Sequence, residues 1–193
     1  MERIQEQIQA ECKKNLECGR AIATGIGVFA ALIKMDEKAE EFPRLPQILL
    51  RQRPEKDSLF SEDLSGKWEM TGGGVELAHF EDSSSPYQAA ILAVLMQELK
   101  EETGLVFFAT SLPEFFFLIP AWIFNREKGI LDLAFVIPIP WKDVKETDEF
   151  KQKIEKGEVR FFRSEELGKI EIVCPRIRFL INEAIDYALR CWP

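Results

Sequence analysis

Three glutamates, Glu98, Glu101 and Glu102, stand close together in the stretch QELKEETGL (97–105). Leu92, Leu95, Met96 and Leu99 recur around them at i, i+3, i+4 and i+7, the spacing of an amphipathic helix, and Gly104 stands where a helix-ending glycine belongs. At about 100° per residue, Glu101 and Glu102 fall about 60° to one side and about 40° to the other of Glu98, so the three carboxylates share one face. Like charges at these spacings destabilise a helix by a few tenths of a kcal/mol per pair, and negative charge near a helix C-terminus opposes the macrodipole. A divalent cation removes both penalties. Hard oxygen ligands with some water retained suit Mg²⁺ or Mn²⁺, and such an ion holds a diphosphate, polarises its phosphorus and acidifies a water. Taken alone, the same run also reads as a solvated acidic face, so its setting has to separate the two readings.

Strands must deliver the partners of that helix. GIGVFAALI (25–33) and QILLRQR (47–53) are apolar, β-branched runs on either side of a Pro-punctuated stretch, and KWEM (67–70) is a third strand that stops at Gly72, Gly73 and Gly74. The helix is expected from about Ser84 to Thr103, with a serine of 83–85 as N-cap and Pro86 in the first turn. Apolar strand candidates follow at 105–110, 114–124 and 131–139. A polar segment, WKDVKETDEFKQKIEKG, precedes the strand EVRFF (158–162), the helical turn SEEL (164–167) and a closing helix at 177–192. This order predicts a mixed α/β sandwich in which helices cover a sheet. Residues 2–20 carry Ile4, Ile8, Cys12 and Leu16 as a narrow apolar stripe, which predicts an N-terminal helical extension (1–21) packed on the domain or on a second subunit as a homodimer; residues 22–193 form a single domain.

Composition narrows the chemistry. The 193 residues, 46% hydrophobic, suffice for one core, and a net charge of −8 argues against non-specific binding to nucleic acid or an anionic membrane. The single histidine, His79, excludes a multi-histidine metal site, which leaves oxygen donors. Cys12, Cys18, Cys174 and Cys191 have neither CxxC spacing nor the density of a disulfide framework, and the polar start MERIQEQIQAECKK lacks the apolar core of a signal peptide, so a reduced, cytoplasmic protein is expected. The apolar stretch 105–124 is interrupted by Pro113, Glu114 and Pro120 and reads as buried strands. No GxGxxG or P-loop is present.

The strand with Trp68, the glycine loop GGGVE (72–76), the helix end ELKEETGL (98–105) and the later GEVRFFRSEEL (157–167), in that order, resemble the Nudix hydrolase family over roughly 25–189. The resemblance implies a Nudix-like α/β/α sandwich (α+β) with a mixed sheet and a central Nudix helix, and a metal-dependent hydrolase that cleaves a diphosphate linkage in a nucleoside diphosphate derivative or a similar small molecule. It further implies that Glu98, Glu101 and Glu102 are catalytic metal ligands for Mg²⁺ or Mn²⁺, joined by a backbone carbonyl of Gly72. Gly73, Glu76, Arg51 and Arg53 would then lie against the substrate, the two arginines as phosphate contacts and Glu76 in support. Solvated strand-end cations are the other reading of that arginine pair.

Two positions depart from the signature. Gln97 stands where the family has arginine and Ala89 where it has glutamate, a pair that usually orients the ligands from behind the metal. Thr71 replaces the proline before the glycines, and AHFEDSSSPYQ lengthens the connection to the helix, bringing Glu81 and Asp82 as stand-ins for the missing glutamate. A catalytically weak or inactive module that senses a nucleotide or binds a protein is therefore the alternative function. His79 reads as a surface residue, and Asp148, Glu149 and Glu155 are the candidates for a general base. Phe115, Phe116, Phe117, Trp68 and Trp141 are either core or base-stacking aromatics. ADP-ribose, nucleotide sugars, dinucleoside polyphosphates, nucleoside triphosphates and non-nucleotide diphosphates all remain open as substrates.

Overall fold

The computed structural model describes residues 25–34, 46–54, 64–75, 93–107, 117–125, 130–139 and 144–191. The expected N-terminal extension, the start of the central helix and the positions of Glu76, His79, Glu81, Asp82, Ala89, Phe115, Phe116 and Trp141 lie outside the described residues.

Strand β1 (Gly25–Lys34) is the centre of the sheet. It runs parallel to β7 (Ile130–Ile139) along its full length, and β7 pairs antiparallel with β6 (Phe117–Asn125). On its other edge β1 is shared. Its C-terminal end pairs with β2 (Gln47–Gln52), while Ile26 to Ala30 pair with β4 (Thr71–Val75). Strand β2 also pairs with β9 (Val159–Arg163) and with the short β3 (Trp68–Glu69). The chain from 68 to 75 thus leaves β2 at Glu69 and joins β1 at Thr71, carrying the three glycines across the middle of the sheet. Its mixture of parallel and antiparallel pairs matches the expected mixed sheet.

Period-two alternation sorts the side chains into two cores. Val28, Ala30 and Leu32 of β1, Leu49 of β2 and Leu131, Leu133, Phe135 and Ile137 of β7 face one layer. Ala31, Ile33, Ile48, Leu50, Ala134 and Val136 face the other. The central helix α1 (93–103) covers the first layer with Val94, Leu95 and Leu99, all at most 2% exposed. The closing helix, Pro175–Cys191, covers the second with Ile177, Leu180, Ile181, Ala184, Ile185 and Ala188 at helical spacing. The result is the helix–sheet–helix sandwich expected from the sequence. Trp68 belongs to the second core, where its ring meets Phe162 edge-on at 4.6 Å between centroids.

Residues 144–157 are more ordered than their polar composition suggests. After Leu105–Phe107 (β5) pairs antiparallel with Val144–Glu146 (β8), Thr147 caps a helix, α2 (Asp148–Glu155), its hydroxyl accepting the Phe150 N–H at 3.2 Å and donating to the Gly104 carbonyl at 2.6 Å. Phe150 is the one residue α2 buries, so the segment has too little apolar periodicity to announce a helix. The helical turn at Ser164–Leu167 (α3) and the closing helix, α4 (Pro175–Cys191), fall where expected.

Candidate functional site

The site forms where the end of α1 lies over β4. Leu95 and Leu99 fix which side of the helix meets the sheet. The α-helical stretch 93–98 then widens into a π-helical turn, Leu99–Thr103, a distortion common at functional sites. Thr103 is fully buried and donates its hydroxyl to the Leu99 carbonyl at 2.5 Å. Gly104 ends the helix at φ 79°, left-handed backbone that a side chain would strain, and a Cβ there would also press on the Phe150 amide nitrogen. The predicted glycine stop is therefore in place.

The glycines of β4 admit the glutamates. At Gly73 a Cβ would overlap the Glu98 carboxylate, and at Gly72 it would overlap the Val28 carbonyl and the Phe29 ring. The Gly72 N–H donates to Glu102 Oε2 at 3.1 Å. The other carboxylate oxygen, Oε1, meets Arg51 Nη2 at 2.5 Å, and the same nitrogen lies 2.6 Å from Glu69 Oε1. Arg51 reaches this point because it continues the parity of Leu49, on the face that α1 covers, and Glu69 is its direct cross-strand partner. Arg53, two residues on, lies 3.5 Å from the same Glu69 oxygen. Glu101 is exposed and accepts the Gln97 side-chain amide at 3.0 Å, so Gln97 holds the neighbour of Glu102 rather than Glu102 itself.

Electrostatically the site is short of positive charge. Burial pushes the Glu102 carboxyl from an ordinary 4.5 up to about 8; Arg51 and the Gly72 N–H pull it down, and Glu98 and Glu69 push it further up. Glu98, Glu69 and Glu102 thus gather around the Arg51 guanidinium, with Arg53 also reaching Glu69. Among the described residues no three acidic, histidine or cysteine side chains are gathered tightly enough to enclose an ion. The oxygen-only donor set and the under-compensated Glu102 nevertheless fit a hard divalent cation.

Glu98, Glu101, Glu102, Arg51 and Arg53 all line one cleft of about 770 Å³, open to solvent and wide enough for a nucleotide-sized ligand. Sequence reasoning missed Lys153, which lines the cleft, and Glu69, which does not line it but pairs with Arg51. Glu69 sits on a two-residue strand and is 6% exposed. Lys153 lies in the polar segment, and its ammonium donates to the carbonyl oxygens of Glu101 at 2.7 Å and Glu102 at 3.1 Å, a cation placed at the negative end of α1. The signal for Lys153 was a lysine four residues after Glu149, with which it pairs at 2.9 Å. Of the candidate bases, Asp148, Glu149 and Glu155 are exposed on α2 and none lines the cleft; hydrogen bonding to Lys153 holds Glu149 below the usual carboxylate range.

Several solved structures with this architecture are Nudix proteins. A MutT/Nudix family protein from Listeria innocua superposes with a TM-score of 0.60 at 18% identity, over 89% of this chain and 97% of that one. The chain has the Nudix fold. A Nudix hydrolase from Nitrosomonas europaea gives a TM-score of 0.53 at 16% identity, covering 88% of this chain and 74% of that one. The Nudix domain of NrtR from Shewanella oneidensis, solved with ADP ribose, gives 0.53 at 12% identity, over 91% and 97%. No protein-family model and no curated protein matches the sequence. Among the described residues no helix is long and apolar enough to cross a membrane.

Proposed function

We propose that this Nudix-fold protein is a metal-dependent pyrophosphohydrolase that cleaves the diphosphate linkage of a nucleoside diphosphate derivative. The observation that carries the reading is the meeting of Glu98 and Glu102 with the glycine strand, in a cleft that also presents Arg51, Arg53 and Lys153. Glu98, Glu101 and Glu102, with the Gly72 carbonyl, would hold Mg²⁺ or Mn²⁺. Such an ion, when bound, neutralises the diphosphate and makes phosphorus electrophilic. The chain's own residues bind and orient. Arg53 and Lys153 bring positive charge to a protein whose net charge of −8 would otherwise repel the substrate. The absence of a side chain at Gly73 lets the Glu98 carboxylate approach the backbone of β4 closely. The NrtR Nudix domain, which shares this fold, was solved with ADP ribose, and that favours a nucleoside diphosphate within the substrate class.

Gln97, which here holds Glu101, favours a second reading, a module that binds a nucleotide without turning it over. Both readings meet one experiment. Product release from a panel of diphosphate compounds is followed with Mg²⁺ and with Mn²⁺, in the wild type and in Glu102→Gln. Metal-dependent turnover that falls about a hundredfold in the variant, as loss of a metal-ligand interaction entails, supports the hydrolase. Tight nucleotide binding with no turnover on any compound supports the sensing module.

A further inference from the structure

Glu102 is held at both oxygens, and neither donor comes from its own helix. Gly72 donates to Oε2 at 3.1 Å from β4, and Arg51 meets Oε1 at 2.5 Å from β2. Arg51 in turn is gripped through the same nitrogen by Glu69, which stands opposite it across the β2–β3 pair. All three side chains are largely out of water: 17% of Arg51, 8% of Glu69 and 12% of Glu102 remains accessible. One terminal nitrogen of Arg51 is therefore already committed to two carboxylates. Each oxygen of Glu102 keeps a lone pair beyond these contacts, so the arrangement fixes the carboxylate's orientation while leaving it able to accept a cation.

We propose that the Glu69–Arg51 ion pair is a positioning device that sets the orientation of Glu102 as a metal ligand, delivered by the sheet rather than by the Nudix helix. This inference rests on the hydrolase reading above, and it gives Arg51 a role different from that of a substrate contact. A glutamate on a free helix end has three rotatable bonds and loses affinity for an ion to the entropy of ordering them. Held from both sides, Glu102 enters the site already ordered.

The test reads the sign of the effect at a pH high enough to ionise Glu102 in every variant, because removing Arg51 also lets that carboxyl hold its proton more tightly. A cation beside a metal site repels the metal, so removing Arg51 should tighten metal binding if charge alone matters. If Arg51 positions Glu102, removing it should weaken binding. Mn²⁺ is titrated into the full chain without substrate and followed by electron paramagnetic resonance, for the wild type, Arg51→Met and Arg51→Lys. We expect the dissociation constant to rise about tenfold to a hundredfold in Arg51→Met, the usual effect of losing a group that orients a ligand. Arg51→Lys, which keeps one cation between the two carboxylates, should recover most of that loss. If Arg51→Met does not fold by circular dichroism, Arg51→Gln carries the same sign test. Unchanged or tighter Mn²⁺ binding on removal of Arg51 overturns this inference and leaves the hydrolase reading standing. A wild type that binds no Mn²⁺ overturns that reading, and this inference with it.

Discussion

Gly72 gives its backbone N–H to Glu102 Oε2 at 3.1 Å, yet this donor and the Arg51 guanidinium together do not keep Glu102 acidic. Burial outweighs them and, with Glu98 and Glu69 adding to it, lifts the carboxyl from 4.5 to about 8. The folded state thus holds a proton that the unfolded state releases at lower pH, so unfolding is favoured as pH rises. The stability contributed by neutral Glu102 is present in full below about pH 4.5 and is lost progressively up to about pH 8. Metal-free protein should therefore melt at falling temperature across that window, and Glu102→Gln, neutral throughout, should flatten the slope. An equal slope in both proteins would mean that Glu102 is charged in the folded state. Excess Mn²⁺ should oppose the trend, since metal takes the ionised carboxylate.

The three glycines of β4 should respond differently to the same added methyl. At Gly72 a Cβ meets the Val28 carbonyl, which cannot move without breaking the sheet, so Gly72→Ala should destabilise by at least about 2 kcal/mol. At Gly73 it meets the movable Glu98 carboxylate, so Gly73→Ala should cost about 1 kcal/mol or less in stability and about tenfold or more in Mn²⁺ affinity. At Gly74 nothing lies within 4 Å, and Gly74→Ala should change neither. Urea denaturation and Mn²⁺ titration of the three variants check the order, and equal effects at Gly73 and Gly74 would remove Glu98 from the site.

How far the sequence reveals this site depends on how many residues carry each signal. Arg51 is legible because two-residue alternation from Leu49 puts it on the helix-facing side, and the end of α1 is legible because Gly104 punctuates a strong apolar repeat. Glu69 is not, because β3 has two residues and no pattern, and its partner is known only once the register Arg51↔Glu69 is. Lys153 is hidden for a related reason: α2 is anchored by Phe150 and by the Thr147 cap, with no repeating apolar face. A regular 100° helix puts Glu98, Glu101 and Glu102 on one face. All three do line the cleft, but the π-helical turn and the pull of Gly72 and Arg51 separate half-buried Glu102 from exposed Glu101, and no local propensity encodes that difference.

Lys153 ties α2 to the end of α1 through the carbonyl oxygens of Glu101 and Glu102. Those carbonyls lie in the last turn, where a helix leaves acceptors without intrahelical donors and where positive charge is favourable by about 0.3–1 kcal/mol. Lys153→Met keeps the stem and removes the ammonium. It should cost about 1 kcal/mol in stability, and hydrogen exchange at the Gly104 amide, which donates to the Lys100 carbonyl at 2.9 Å, should quicken. Exchange unchanged at Gly104 would show that the turn holds without α2.

On the opposite face of the sheet, Asp132 of β7 meets Arg176 at the start of α4 at 2.6 Å, with 3% of the aspartate side chain accessible and 31% of the arginine. Gly27, on the neighbouring strand, lacks the Cβ that would collide with the Asp132 carboxylate. Burial raises the Asp132 carboxyl and Arg176 lowers it, so the cation opposes most directly the cost of keeping that charge inside. Removing one partner of a fully buried pair costs about 3–5 kcal/mol; because Arg176 is partly in water, Arg176→Met should cost about 2–3 kcal/mol. Asp132→Asn combined with Arg176→Met should be less destabilising than the two single changes summed, giving a coupling of about 1 kcal/mol or more in a double-mutant cycle. Because the coupling requires an ionised aspartate, it should shrink as pH is lowered and the carboxyl takes up its proton. A cycle that closes to zero at neutral pH would instead mean that burial has already neutralised Asp132 and that this pair does not hold α4 to the sheet.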